Sequence, residues 1–198
     1  MANANTIIVI GTSAGGVDAL RKLIAQFEPS WPVSVFVTIH TGKHRNSMPD
    51  ILNWNSGLSA GFAEHQKIIG RGIYIAPPDC HLIVGNGTML LSAGPKENHT
   101  RPAIDPMFRS AARNHGRRVI GVLLTGYLND GVNGLYEIQR LGGATIVQDP
   151  ADAEVAEIPR NALARLQPDH VLPLGKITSA VSELLKTQQG STGRRSGQ

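Results

Sequence analysis

The sequence predicts an α/β fold: a doubly wound, mostly parallel sheet with a small antiparallel hairpin and helices on both faces. Short unbroken apolar runs at residues 7–10, 33–39 and 118–124 read as strands buried on both faces of a parallel sheet. Between them, apolar residues recur at helical spacing, as at Val17, Ala19, Leu20, Leu23 and Ile24, and such alternation argues for right-handed parallel crossovers. The pair Asn86-Gly87 between the apolar runs 81–84 and 88–91 is a hairpin signal, so the sheet should acquire an antiparallel part there.

In chain order, residues 7–10 form the first strand, Gly11 ends it, and Gly15-Gly16 open a helix that runs through Ile24. Residues 33–39 form the second strand, which ends at His40. A polar loop at 41–47 leads to a short helix at 48–55, and 58–64 is a third strand. Residues 72–76, 81–84 and 88–91 are short strands separated by Pro77-Pro78-Asp79 and Gly85-Asn86-Gly87, and the antiparallel part is expected among them. A polar loop at 92–100 precedes a helix at 103–114, a strand at 118–124, a helix at 132–141 and a strand at 144–148. Further helices cover 161–166 and 177–186. Residues 188–198 are rich in Gly, Ser and Arg without an apolar residue, and read as a disordered polar tail after a domain at 1–187.

The length of 198 residues suits one large α/β domain, and 41% hydrophobic residues with 5% aromatics imply an aliphatic core. A net charge of +4 permits acidic partners, but Arg194 and Arg195 lie in the tail and the other basic residues are scattered, so no nucleic-acid patch forms. A single cysteine, Cys80, rules out an internal disulfide framework. The chain begins without a signal-type segment, and no apolar run approaches a membrane span, so the reading is a soluble, cytoplasmic protein that is not membrane-embedded.

In a doubly wound sheet the ligand site lies at the carboxyl ends of the strands. Three strand ends deliver Ser13, His40 and Asp130, the last from the turn Thr125-Gly-Tyr-Leu-Asn-Asp-Gly131. Ser13 sits in Gly11-Thr12-Ser13-Ala14-Gly15, a G-x-S-x-G pattern that places a hydroxyl at a helix N-terminus, where backbone N–H groups converge on a developing oxyanion. Serine needs a base, which a neutral His supplies, and an aspartate on the other ring nitrogen fixes the tautomer. The competing readings are a structural or phosphate-binding turn for the glycines, a helix-capping role for Asp130, and Asp105 or Asp149 as the acid. His40 and His44 have a metal-compatible spacing, but Gly42 argues against a helix there and no further ligand group is evident, so no metal is expected. A dinucleotide site is disfavoured, since the turn is G-x-x-x-G-G and His40 stands where an acidic residue would bind ribose; a Walker lysine is absent too.

Several motifs together resemble the catalytic domain of CheB-type chemotaxis methylesterases. They are Ile10-Gly-Thr-Ser-Ala-Gly-Gly16, His40, Tyr74-Ile-Ala-Pro-Pro-Asp-Cys-His-Leu82, Arg101-Pro-Ala-Ile-Asp-Pro-Met-Phe-Arg-Ser110, Val122-Leu-Leu-Thr-Gly-Tyr-Leu-Asn-Asp-Gly131, and Gln148-Asp149 with Ile158-Pro-Arg160. The resemblance spans residues 6–185. It implies hydrolysis of glutamate γ-methyl esters on cytoplasmic helices of methyl-accepting chemoreceptors, with glutamine deamidation in some members. It further implies Ser13 as nucleophile, His40 as base, Asp130 as orienting acid, the backbone N–H groups of Ala14 and Tyr127 as oxyanion hole, and no cofactor.

The sequence departs from the family pattern in places. Tyr127 and Leu128 replace Met and a small residue, which is expected to narrow the leaving-group pocket; Thr41-Gly42 follow His40 where the family has x-Pro; Ile158 replaces Met. The first strand begins at Thr6 with no receiver domain before it, so a stand-alone domain is expected. Such a domain would be unregulated, controlled by a separate response-regulator partner, or devoted to another target. The alternative function is a non-catalytic signalling module of the same fold, which the Tyr127 and Leu128 substitutions would favour.

Overall fold

A computed structural model describes residues 6–40, 47–54 and 56–192. In chain order the elements are β1 (Thr6–Thr12), α1 (Gly16–Ile24), β2 (Val33–Ile39), α2 (Met48–Asn53), β3 (Ala60–Phe62), β4 (Gly72–Ile75), β5 (His81–Val84), β6 (Met89–Ser92), α3 (Ile104–His115), β7 (Val119–Leu123), α4 (Val132–Arg140), β8 (Ala144–Gln148), α5 (Glu157–Arg165), β9 (His170–Leu172) and α6 (Leu174–Thr192). Seven strands form one sheet in the order β3-β4-β2-β1-β7-β8-β9, and every pairing in it is parallel. The doubly wound α/β class predicted from the sequence is the observed one.

The apolar runs are continuous because both sheet faces are covered. Ile8 and Ile10 of β1 pack with Leu20 and Leu23 of α1, Leu52 of α2 and Val181 of α6. Ile7 and Val9 face the other way, onto Phe108 of α3, Leu135 of α4, Ile158 of α5 and the β5–β6 hairpin. Successive strand residues point to opposite faces, so each layer draws on alternate positions of one run. β1 is buried along its whole length and lies mid-sheet.

Several boundaries differ from the sequence reading. The hairpin joins β5 to β6 as a separate two-stranded sheet packed on α3, while β4 belongs to the parallel sheet. Only the Asn-Gly turn encodes antiparallel pairing; Pro77-Pro78 turns the chain out of the main sheet after β4. The third strand shrinks from 58–64 to Ala60–Phe62. α5 starts at Glu157 rather than at Asn161, since Pro159 lies in the first turn, where a helix needs no N–H from it. β9 was not anticipated; it is a three-residue edge strand that is partly exposed. α6 extends beyond the expected 177–186, from Leu174 to Thr192, into the stretch read as tail. No apolar residue marks that extension, but Gln188 holds it to the sheet: Thr6 Oγ1 donates to Gln188 Oε1 (2.8 Å) and Gln188 Nε2 donates to the Arg117 carbonyl (3.1 Å). The remaining tail, 193–198, lies outside the described residues. No helix among the described residues is long and apolar enough to cross a membrane.

One core-edge histidine should make stability depend on pH. His115, at the end of α3, donates from Nε2 to the Gly85 carbonyl (2.9 Å), and Arg118 reaches its Nδ1 (3.4 Å). Burial holds its pKa below the ordinary histidine value, the Arg118 charge adds to this, and the Gly85 bond opposes it. As pH falls below about 6.5, the unfolded chain therefore protonates first, and the fold loses stability until His115 itself titrates. Denaturant midpoints for wild type and His115→Gln between about pH 7.5 and 5 should diverge, with the variant losing less on acidification. Equal losses would remove His115 as a cause.

Candidate active site

The strand register sets the site. Thr12 of β1 pairs with Ile39 of β2, so the next residues, Ser13 and His40, leave the sheet side by side. On the other flank, Gly11 pairs with Leu123 of β7, and the turn after β7 carries Asp130 back toward β1. This is where the winding reverses direction from β1, the usual place for a site in such sheets.

Backbone and hydroxyl bonds hold the first turn. Ser13 N–H and Thr12 Oγ1 both donate to the Thr125 carbonyl (3.0 and 2.9 Å). Thr125 Oγ1 donates to the Ala14 carbonyl (2.9 Å) and accepts the Val155 N–H (2.8 Å), while Thr125 N–H donates to Gln148 Oε1 (3.0 Å). Gly15 takes a left-handed backbone (φ 74°) as the residue that opens α1, a conformation glycine adopts without strain. Gly126 is required by proximity: a Cβ there would lie 2.7 Å from Ser13 Cβ and 2.6 Å from Ile158 Cδ1.

His40 Nδ1 lies 3.1 Å from Ser13 Oγ, and its Nε2 lies 2.9 Å from Asp130 Oδ2. With Nε2–H donating to the carboxylate, Nδ1 keeps its lone pair and can accept the serine proton. The His40 side chain is 20% exposed and that of Asp130 3%. Asp130 also accepts the backbone N–H groups of Ile104 (2.7 Å, Oδ2) and Asp105 (3.1 Å, Oδ1), and Asn98 Nδ2–H (2.6 Å, Oδ1). It therefore does not cap α4, which Gly131 opens without a side-chain cap. It satisfies the first N–H groups of α3 instead, whose own N-cap, Ala103, has no side-chain acceptor to offer.

Neither rival acid is hydrogen-bonded to His40 among the described residues. Asp105 touches Asn98 (2.9 Å) and the Gly134 N–H (2.6 Å), and burial, aided by the charge of Asp130, raises its pKa above the usual carboxylate range. Asp149 accepts the Ala151 N–H (2.8 Å) within its own turn. His44, and with it the His40/His44 metal reading, lies outside the described residues, as does the rest of 41–46. Among the described residues no group of three or more His, Cys, Asp or Glu side chains is arranged to hold a metal ion.

The Ala14 and Tyr127 N–H groups have no acceptor among the described residues. The segment carrying Tyr127 is pinned on both sides: Gly126 N–H donates to Val155, Ile158 N–H donates to Gly126, and Asn161 Nδ2 donates to Leu128 (2.9, 2.9 and 2.6 Å, all to carbonyls). Tyr127 and Leu128 are each 59% exposed, so neither is packed into the molecule. A cavity of about 530 Å³ opens beside them, lined in part by Leu128, Val132, Asn161 and Arg165. Leu128 holds a left-handed backbone (φ 67°), which a branched L-residue adopts at a cost. Leu128→Gly should raise thermal stability by up to about 1 kcal/mol, measurable as a higher Tm; a lower Tm would mean that the leucine side chain holds this turn.

Sequence reasoning missed Asn98, Thr125 and Gln148 as supports of the site. Thr125 and Gln148 were detectable as polar residues at the carboxyl ends of buried strands; Asn98 carries no local signal.

Comparison with known proteins places this geometry in context. Residues 8–181 match the family described as CheB methylesterase. A Leptospira interrogans protein, provisionally named protein-glutamate methylesterase/protein-glutamine glutaminase, is 36% identical over 173 residues, 86% of this chain and 90% of that one. Protein-glutamate methylesterase/protein-glutamine glutaminase 2 of Methanosarcina mazei is 34% identical over 194 residues, covering 93% of this chain but 53% of that protein, so the chain spans about half its length. The crystal structure of the Thermotoga maritima CheB methylesterase catalytic domain superposes with a TM-score of 0.85 at 30% identity, covering 93% of this chain and 99% of that one.

Proposed function

The chain belongs to the CheB methylesterase family, and on that premise we propose that it hydrolyses glutamate γ-methyl esters on the cytoplasmic helices of chemoreceptors through an acyl-enzyme on Ser13. The observation that carries this reading is the hydrogen-bonded chain from Ser13 Oγ through His40 to Asp130, at 3.1 and 2.9 Å. Ser13 Oγ attacks the γ-carbonyl carbon while His40 Nδ1 takes its proton. The negative charge on the carbonyl oxygen is met by the N–H groups of Ala14 and Tyr127. Asp130 stabilises the imidazolium, which then returns the proton to the departing methanol. Water repeats the sequence on the acyl-serine and releases the glutamate carboxylate. A glutamine side chain follows the same course with ammonia leaving. On this reading the protein acts in the cytoplasm, the compartment of the proposed substrate helices.

The test is methanol release from methylated receptor cytoplasmic fragments. Release by wild type and none by Ser13→Ala is the expected result. Ser13-dependent cleavage of a generic activated ester without methanol release from receptor fragments would refute the substrate class. No cleavage of either, with receptor binding intact, would favour the non-catalytic module.

A further inference from the structure

Asn98 stands in the loop between β6 and α3, where both it and His99 have left-handed backbones (φ 49° and 64°). Asparagine is among the few residues that adopt this conformation readily. The loop is held by reciprocal backbone bonds between Glu97 and Thr100 (3.2 and 3.0 Å) and by the two-oxygen ion pair of Glu97 with Arg109 on α3 (2.9 and 2.7 Å). As a result Nδ2 of Asn98 donates to two carboxylates, Asp130 Oδ1 at 2.6 Å and Asp105 Oδ2 at 2.9 Å, both 2% exposed. Two buried carboxylates this close repel each other. A neutral amide with two N–H groups can bridge them without adding charge. A lysine or arginine there would neutralise Asp130 and weaken its hold on the imidazolium.

We propose that Asn98 is a positioning residue for the hydrolysis: its amide ties Asp130 Oδ1 to Asp105, so that Oδ2 faces His40 Nε2. The proposal rests on the reading of Ser13, His40 and Asp130 as the reacting set. The charged and titratable groups facing the carboxylate pair are His40 from the end of β2 and Arg109 further along α3, itself paired with Glu97. From α4 the pair receives the Gly134 backbone N–H.

The experiment compares steady-state hydrolysis of a methylated receptor fragment by wild type, Ser13→Ala, Asn98→Gly and Asn98→Asp between about pH 6 and 9. Asn98→Gly suits the left-handed backbone and removes only the amide. Its kcat should fall about 10- to 100-fold with KM changed less than about twofold. Asn98→Asp is isosteric but sets a third carboxyl beside Asp105 and Asp130. At alkaline pH repulsion displaces Asp130; as pH falls the introduced carboxyl takes a proton and donates again. Its activity relative to wild type should therefore rise as pH falls. A purely structural role would give a ratio independent of pH. Wild-type kcat in Asn98→Gly, or a flat Asn98→Asp ratio, overturns the proposal. If circular dichroism shows Asn98→Gly unfolded, the Asn98→Asp ratio decides alone. Full activity in Ser13→Ala would instead refute the parent reading, and the inference with it.

Discussion

Ser13→Ala should abolish methyl-ester hydrolysis, with a loss on the order of 10⁴- to 10⁶-fold in kcat and a change in folding stability within about 0.5 kcal/mol. The turn that presents Ser13 is held by groups other than its hydroxyl: the backbone bond to Thr125, the Thr12 and Thr125 hydroxyls, and the close approach of Gly126. Removing Oγ leaves all of these in place and takes away only the partner of His40 Nδ1. Ester turnover measured beside a thermal melt separates the two effects. Residual activity near wild type would remove Ser13 from the mechanism, and a large drop in Tm would show that its hydroxyl supports the fold.

Asp130→Asn should lower both activity and stability. The rate loss is expected at about 10²- to 10⁴-fold, because an amide cannot stabilise an imidazolium and can present the wrong group to Nε2–H. The stability loss follows from the geometry. Oδ2 accepts from His40 and Ile104, and Oδ1 accepts from Asp105 and Asn98, so each oxygen already faces two donors. Whichever way the amide turns, its NH₂ confronts donors at the buried start of α3, at a cost of about 1–3 kcal/mol. Denaturant titration together with single-turnover kinetics reads both. Wild-type stability would contradict the role of Asp130 in closing α3, and a wild-type rate would assign the orienting role to another group.

The two sets of bonds made by Asp130, to His40 and to the start of α3, mark where the sequence stops being legible. The strand-end rule singled out Ser13 and His40 because each directly follows a buried run and the parallel register aligns those ends, and it singled out Asp130 because it lies in the turn after β7. The helix that Asp130 caps begins 26 residues upstream at Ile104, and no local pattern links the two. Asn98 was hidden for the same reason: one of its partners is Asp105 on α3 and the other is Asp130, beyond β7. In the fold, the central strands were plain from their β-branched runs, whereas β9 is a short edge strand without a continuous apolar signature. The extension of α6 rests on Gln188 reaching Thr6 and Arg117, residues 182 and 71 positions away. Hydrophobic periodicity sees burial and is blind to such polar long-range ties.

The central claim is a covalent intermediate on Ser13, and acid-quenched mass spectrometry tests it most directly. Enzyme mixed with a methylated receptor fragment and quenched within the first turnover should contain a species of enzyme plus fragment minus methanol, with the cross-link on the peptide that carries Ser13. That species should be absent in Ser13→Ala. Methanol release without any covalent species at conditions that accumulate an acyl-enzyme, or a cross-link on another residue, would contradict the account.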